Sequence, residues 1–411
     1  MKSMKIIKLV LSWMLVGGVS IQLISCSTGL KDSEQDVPFV NPYEEAAGRC
    51  MIHDFEDDVC AICNTPYMYS EGLQYELSSD ETAYLVTGIG DCKDMQILIP
   101  SEYNGLPVTG ISEGAFTQKK ITAVFLPNSI TSIGAWAFGG CTKLLYVDIP
   151  STVTDIGIEA FEGCFRLASV KIPKNITTLS AGVFENCSSL TDITLPNSLE
   201  TIGKSAFANC SGIQRLVIPG SVIEIDSGAF DNCIGLKKIE FRQEALPKMN
   251  TPFEGCTELE AIYYPGTLTT WCRTDFDTNP LRQGKHLYVD GELIKGQFQT
   301  PKGLKRIGKR VMEGNADITG VVISKEVEKI GSWAFARCEN LTYVVLEGSP
   351  TAIADNSFSE SGLQQIFLRD TKEEAQLYIA YLLGIAYHQN VEIFYSGEWY
   401  YNQDGVPCYN S

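Results

Sequence analysis

The chain has 411 residues, 44% of them hydrophobic, and its 50 acidic and 32 basic side chains give a formal net charge of −18. A surface this acidic repels nucleic-acid phosphates and anionic lipid headgroups, so we expect no nucleic-acid partner and no charge-driven membrane binding. Two or three domains would be usual at this length, but an internal repeat predicts one elongated unit instead.

The N-terminus has the pattern of an export signal. Three lysines precede a mostly apolar run at positions 9–23, and small or polar residues flank Cys26. This order is typical of a secretory signal, and its end resembles the lipobox of bacterial lipoproteins. We predict a lipoprotein signal peptide at 1–25, lipidation of Cys26 and a flexible, acidic tether at 26–49. An ordinary signal peptide or a single anchor helix are the alternatives.

Two pairs of metal-ligating side chains follow the tether. Cys50 with His53 and Cys60 with Cys63 have the spacing C-x2-H-x6-C-x2-C. Three thiolates and one imidazole can close a tetrahedral zinc site, which would be structural because no coordination position stays open. We therefore predict a small Cys/His segment at 50–79 that holds a structural zinc ion, and no cofactor that the function requires. A disulfide in this exported chain or free thiols are the alternatives.

A repeat of 23 residues organises the chain from 80 to 370. A phenylalanine three residues before a cysteine recurs at this step from Phe138 to Phe253, and each cysteine precedes two apolar residues spaced two apart. That spacing is typical of a short strand, which buries its apolar side only by stacking on its copies in a parallel sheet. The repeated phenylalanine position, which occurs once in each predicted rung, is occupied by Phe116, Phe138, Phe161, Phe184, Phe207, Phe230, Phe253, Phe276, Met312, Phe335 and Phe358.

One interruption and one cap complete the predicted fold. The step from Phe276 to Met312 is 36 residues, 13 more than the repeat, and it contains the turn dipeptide Asp290-Gly291 between strand-like runs. This predicts a β-hairpin insertion at about 281–300. A stretch of helical composition and two strand patterns predict a small α/β cap at 371–411, which would cover the last open edge. The fold class is therefore a mainly β repeat solenoid with about eleven 23-residue rungs.

The cysteine column, from Cys141 to Cys256 and again at Cys338, is predicted to be structural. Parallel in-register side chains one rung apart suit a disulfide poorly. A buried free cysteine behaves as a small apolar residue, and a reactive thiol would need exposure and a lowered pKa. We therefore assign these cysteines to the core.

The strand positions between the inward residues are predicted to face outward. Aromatic side chains are enriched at protein interfaces, and exposed aromatic and apolar residues cluster near both ends of this face. The predicted partner-binding residues are Phe125, Tyr146, Tyr263, Tyr343, Val345 and Phe367. The alternative is a sheet surface that simply tolerates β-forming residues.

Catalysis is not expected. The chain has three histidines, and none of them stands in a recognisable nucleophile, metalloprotease or phosphate-binding motif. Carboxylates are abundant but scattered along the chain, and the sequence alone does not show two of them facing each other across a cleft. We therefore predict no catalytic residues.

The frame L-x-x-V-x-I-P…I-G-x-x-A-F-x-x-C, recurring in register, resembles the BspA-like leucine-rich-repeat family of bacterial surface proteins. The resemblance covers about 80–370 and implies an exported scaffold at the bacterial cell surface that adheres to host, matrix or neighbouring-cell ligands. Together with the predicted lipidation of Cys26, it predicts a lipid-anchored surface protein. The partner would be an extracellular protein or glycan, the membrane would be met only through the N-terminal lipid, and the solenoid would be monomeric. A passive surface spacer and a glycan-acting enzyme are the alternatives, since fold does not fix function.

Overall fold

The chain divides into two compact units, Met1–Tyr69 and Ser70–Ser411. The computed structural model describes four long segments of the chain: 69–282, 285–354, 356–377 and 391–409. It also gives the backbone of two antiparallel strand pairs in the first unit: Val10–Val16 with Val19–Ser25, and Phe55–Glu56 with Val59–Cys60.

The second unit is a solenoid of about 13 turns, and each regular rung contributes one strand to a long-strand ladder. Its parallel register follows the sequence repeat, since Arg215 lies beside Lys238 and Lys238 beside Ala261. The predicted parallel sheet is confirmed. The long strands are Gln96–Leu98, Ala123–Phe125, Tyr146–Asp148, Ser169–Lys171, Asp192–Thr194, Arg215–Ile218, Lys238–Phe241, Ala261–Tyr264, His286–Val289, Gly296–Gln299, Ile318–Ile323, Tyr343–Leu346, Gln365–Leu368 and Glu392–Phe394.

A second ladder of shorter parallel strands lies after the turn that follows each long strand, which begins at a proline such as Pro150. It begins at Tyr84–Gly88 and Leu106–Ile111, which also pair antiparallel with Gln74–Leu77 and Glu102–Tyr103 respectively. The remaining short strands are Ser132–Ile133, Asp155–Ile156, Thr178–Leu179, Thr201–Ile202, Glu224–Ile225, Lys248–Met249, Arg306–Ile307, Lys329–Ile330 and Ala352–Ile353.

The recurrent Ile-Gly pair, which the sequence suggests is a turn, ends this second strand. A Cβ added to Gly157 would lie 2.4 Å from the backbone nitrogen of Ala135 in the preceding rung. The rungs therefore stack at this point only if the side chain is a hydrogen atom.

The turn that contains the repeated phenylalanine, after the short strand of each rung, forms a third set of hydrogen bonds between rungs. The backbone N–H groups of Trp136, Phe138 and Gly140 donate to the carbonyls of Ile158, Ala160 and Glu162. Trp136 and Gly140 have φ of 55° and 68°, and this alternation of left- and right-handed residues directs every second N–H to the same side. The turn thus satisfies its backbone although non-glycine residues with positive φ are unfavourable.

The phenylalanines of the regular rungs stack inside the solenoid. Successive rings from Phe116 to Phe253 lie 5.2 to 5.5 Å apart, with interplanar angles of 2° to 13°. Phe335 and Phe358 continue the pattern at 5.4 Å, and Met312 is fully buried in the same slot. The eleven predicted key positions therefore all lie in the core.

The cysteine column is buried beside this stack. Each thiol from Cys141 to Cys256 donates to the carbonyl of the phenylalanine one rung earlier, for example from Cys141 to Phe116 and from Cys187 to Phe161, at Sγ–O distances of 3.0 and 3.3 Å. Cys338 donates in the same way to the carbonyl of Met312. Burial raises the pKa of the Cys141, Cys210 and Cys256 thiols to about 12. The structural role predicted for these cysteines is confirmed.

We expect these thiols to resist alkylation in the folded chain at pH 8, because a buried, protonated thiol is not a nucleophile. Peptide mapping after iodoacetamide treatment should find Cys187 and Cys210 unmodified, and modified only after denaturation. The half-buried Cys408 serves as the reactive comparison. Modification of Cys187 in the native chain at the rate of Cys408 would contradict this assignment.

The insertion changes the solenoid in two ways. A short helix, Leu268–Arg273, capped by the Thr267 side chain, stands where a short strand would come. The predicted hairpin is present, since His286–Val289 pairs antiparallel with Glu292–Leu293. Its first strand also pairs in parallel with Ala261–Tyr264, so the hairpin is part of the sheet and not an appendage.

The C-terminal cap covers the sheet face as well as its edge. Glu392–Phe394 pairs in parallel with Gln365–Leu368 and thus covers the last edge, as predicted. Within the predicted helical stretch, Glu374–Leu377 forms a 3-10 turn, and residues 378–390 lie outside the described residues. A C-terminal hairpin, Trp399–Tyr401 with Pro407–Tyr409, lies on the outward side of the last long strands.

Candidate functional site

The predicted exposure of Tyr343, Val345 and Phe367 is wrong. They are 9%, 0% and 0% exposed and form a second core cluster with Trp399 and Val322. The Phe367 ring lies 5.4 Å from that of Trp399. These side chains do point outward from the sheet, as the alternation requires, but the C-terminal hairpin covers them.

The other three predicted partner-binding residues remain on the surface. Phe125, Tyr146 and Tyr263 are half-buried. The rings of Phe125 and Tyr146 lie 5.8 Å apart in a tilted contact near the first rungs. Their partner-binding role stays a prediction.

Tyr263 belongs to a preformed aromatic cluster in the middle of the long-strand face. Its ring stacks on that of Tyr288 at 4.4 Å with an interplanar angle of 5°. The Lys238 ammonium nitrogen lies over the Tyr263 ring, 3.6 Å from the ring centre. Each of the three residues comes from a neighbouring long strand, so the sheet register fixes their spacing.

Three cations converge on one carboxylate beside these rings. Glu240 lies 2.8 Å from Arg215, 3.0 Å from Arg242 and 3.7 Å from Lys238. Partial burial would raise the pKa of Glu240, but the Arg215 hydrogen bond and the charges of Arg242 and Lys238 lower it below its ordinary value. The carboxylate is therefore ionised at neutral pH and holds the cations in place.

We name this set the tyrosine–cation patch: Arg215, Lys238, Glu240, Arg242, Tyr263 and Tyr288. Its one carboxylate leaves two positive charges uncompensated, and the Arg215 and Arg242 side chains are 58% and 57% exposed. The patch can bind carboxylates through the guanidinium groups and apolar groups through the tyrosine edges. Because the rings are already packed, little side-chain entropy is lost on binding.

The sequence identifies only part of this patch. Tyr263 is recognised as outward-facing, but Tyr288 falls in the insertion and escapes the repeat count. Leu287-Tyr288-Val289 has the alternation of a ladder strand, which is the signal that identifies it. Arg215 and Lys238 also lie at outward positions, but their convergence on Glu240 depends on the pairing of two adjacent strands, Arg215–Ile218 and Lys238–Phe241.

Cys26, Cys50, His53 and Cys63, and the side chain of Cys60, lie outside the described residues. Lipidation and the structural zinc site therefore stay predictions. Within the described segments, no group of histidine, cysteine, aspartate and glutamate side chains could hold a metal ion. The same segments contain no helix long and apolar enough to cross a membrane.

The family model described as BspA type Leucine rich repeat region matches the chain in six copies, over residues 109–237, 178–283 and 294–381. These matches cover more than half of the 411 residues. No curated protein shows significant sequence similarity to the chain.

Several solved structures are similar to the chain. The leucine rich repeat protein of T. pallidum is 31% identical over 47% of this chain and 90% of its own, with a TM-score of 0.42. A leucine-rich repeat protein from Bacteroides ovatus is 20% identical over 80% and 99%, with a TM-score of 0.43. A leucine rich cell surface protein from Faecalibacterium prausnitzii is 23% identical over 80% and 94%, with a TM-score of 0.41.

Proposed function

Because the chain belongs to the BspA-type leucine-rich-repeat family, we propose that it is a protein-interaction scaffold displayed on the bacterial cell surface. It is exported by the N-terminal signal, held at the membrane by a lipid on Cys26, and adheres to a host, matrix or neighbouring-cell protein. The repeat supports a scaffold role, since it supplies a long, regular surface.

The tyrosine–cation patch carries this proposal. Tyrosine and arginine are enriched among residues that dominate binding energy at protein interfaces. The patch adds two uncompensated positive charges on a chain whose net charge is −18, so it attracts an acidic segment that the rest of the surface repels. The partner we propose is therefore a protein with carboxylates next to exposed apolar side chains.

Charge reversal in the patch should weaken adhesion. The purified full-length chain in detergent is passed over immobilised extracellular-matrix proteins, and affinity is measured by surface plasmon resonance. We expect Arg215→Glu with Arg242→Glu to weaken binding at least about 10-fold, because oppositely charged contacts become repulsive. Binding should also weaken as salt rises from about 50 to 300 mM.

Lys248→Glu with Lys305→Glu is the matched control. These lysines are equally exposed and pair with Glu224 and Glu328 away from the patch, so the same change in net charge should alter affinity less than about 2-fold. Equal losses in both double variants would show a net-charge effect and overturn the patch as the binding site. Absence of binding to every matrix protein would favour the passive spacer.

A further inference from the structure

A separate cleft lies between the C-terminal hairpin and the long strands beyond the insertion. It is shallow and largely open to solvent, and it has a volume of about 340 Å³. The residues that line it are Gln297, Gln299, Val322, Glu347, Tyr401 and Gly405. Small-ligand pockets measure roughly 300–1,000 Å³, so the cleft has room for one or two sugar rings.

One wall of the cleft is held in place by a tyrosine beneath it. The Tyr343 hydroxyl donates to Gln297 Oε1 at 2.7 Å, which leaves the amide nitrogen of Gln297 as a donor for a ligand. The Tyr343 ring lies against Gly320, where an added Cβ would be 2.1 Å from the ring carbon Cζ. Glycine at this position thus permits the tyrosine to support the glutamine.

The opposite wall is also preformed. The Tyr401 hydroxyl donates to Glu347 Oε1, and Arg369 Nε lies 3.3 Å from Glu347 Oε2. The Arg369 guanidinium stacks 4.4 Å from the Trp399 ring centre and 5.0 Å from that of Tyr401. The pairing of Glu347 with Arg369 leaves this wall electrically neutral, and the carboxylate keeps further acceptor lone pairs.

We propose that this cleft binds a neutral saccharide. Two exposed glutamine side chains supply donors and acceptors within one strand, Glu347 supplies an acceptor, and Val322 gives an apolar floor. A ring that carries several hydroxyl groups matches this mixture, because each hydroxyl both donates and accepts. A charged sugar would meet no uncompensated counter-charge, and an apolar ligand would leave the amides unpaired.

The test is ligand-observed saturation-transfer NMR on the full-length chain in detergent. The probes are methyl glucoside, methyl galactoside and N-acetylglucosamine at about 1–10 mM, the range expected for one sugar in a shallow cleft. We expect saturable binding of at least one probe, and at least about 5-fold weaker binding in Gln299→Ala. Gln299 is solvent-exposed, so this variant should keep its fold.

Gln364→Ala is the matched control, because this glutamine is equally exposed but does not line the cleft; it should bind like the parent chain. Glucuronate and triglycine test the alternatives of an anionic sugar and a peptide. Lack of binding by all three neutral probes, equal binding by Gln299→Ala, or stronger binding of glucuronate or triglycine would overturn the proposal. Charge reversal at Arg215 and Arg242 leaves the cleft unchanged, so the adhesion test and this one fail independently.

Discussion

Phe207→Ala should lower the free energy of unfolding by about 3–5 kcal/mol, the largest single-residue effect expected in this protein. The Phe207 ring is fully buried between Phe184 and Phe230, with centroid distances of 5.5 and 5.3 Å. Truncation removes contacts on both sides, and the neighbouring rungs cannot collapse into the cavity because three sets of backbone hydrogen bonds fix their spacing. Urea unfolding followed by far-UV circular dichroism measures the change.

Two further variants serve as comparisons for Phe207→Ala. Phe207→Leu should cost clearly less than Phe207→Ala, because the fully buried Met312 shows that this slot accepts a non-aromatic side chain of similar volume. Ile158→Ala, at a site that is 52% exposed, should change stability by less than about 1 kcal/mol. A loss from Phe207→Ala no larger than that of Ile158→Ala would mean that the stack does not hold the rungs together.

Glu313→Ala should destabilise the chain by about 2–3 kcal/mol, since it breaks a buried ion pair. The Glu313 side chain is 1% exposed, and its carboxylate lies 2.7 Å from Arg310 and 3.9 Å from Arg337. The two guanidinium groups lie 5.3 and 5.9 Å from the Trp333 ring centre. Without the carboxylate, the two guanidinium groups keep their positive charge at a partly buried site with no counter-charge. Because both groups are partly exposed to water, the loss of stability should be smaller than for a fully buried pair.

Glu254 provides the matched comparison for this prediction. It follows Phe253 as Glu313 follows Met312, but it is exposed. Glu254→Ala should therefore shift the urea midpoint little, and Glu313→Gln should lie between the two alanine variants because it keeps the volume and loses only the charge. A Glu313→Ala chain as stable as the Glu254→Ala chain would show that the ion pair contributes nothing net.

The candidate site shows where sequence reasoning succeeds and where it stops. Alternation along one strand correctly gives the outward direction of Tyr263 and Phe367, because that direction is a local property of the backbone. Exposure is not local. Phe367 points outward and is nevertheless buried, because the hairpin of Trp399–Tyr401 and Pro407–Tyr409 folds back over it.

The sequence by itself determined the structure of the repeating unit and the way its copies stack. A 23-residue period with phenylalanine, cysteine and strand alternation at fixed offsets has one way to bury its apolar side, which is to stack on its copies in register. Tertiary structure decided the rest: that Ile-Gly ends a second strand, that His286–Val289 joins the sheet, and which outward residues meet solvent. These outcomes depend on contacts between rungs and on the cap, which the 23-residue period does not specify.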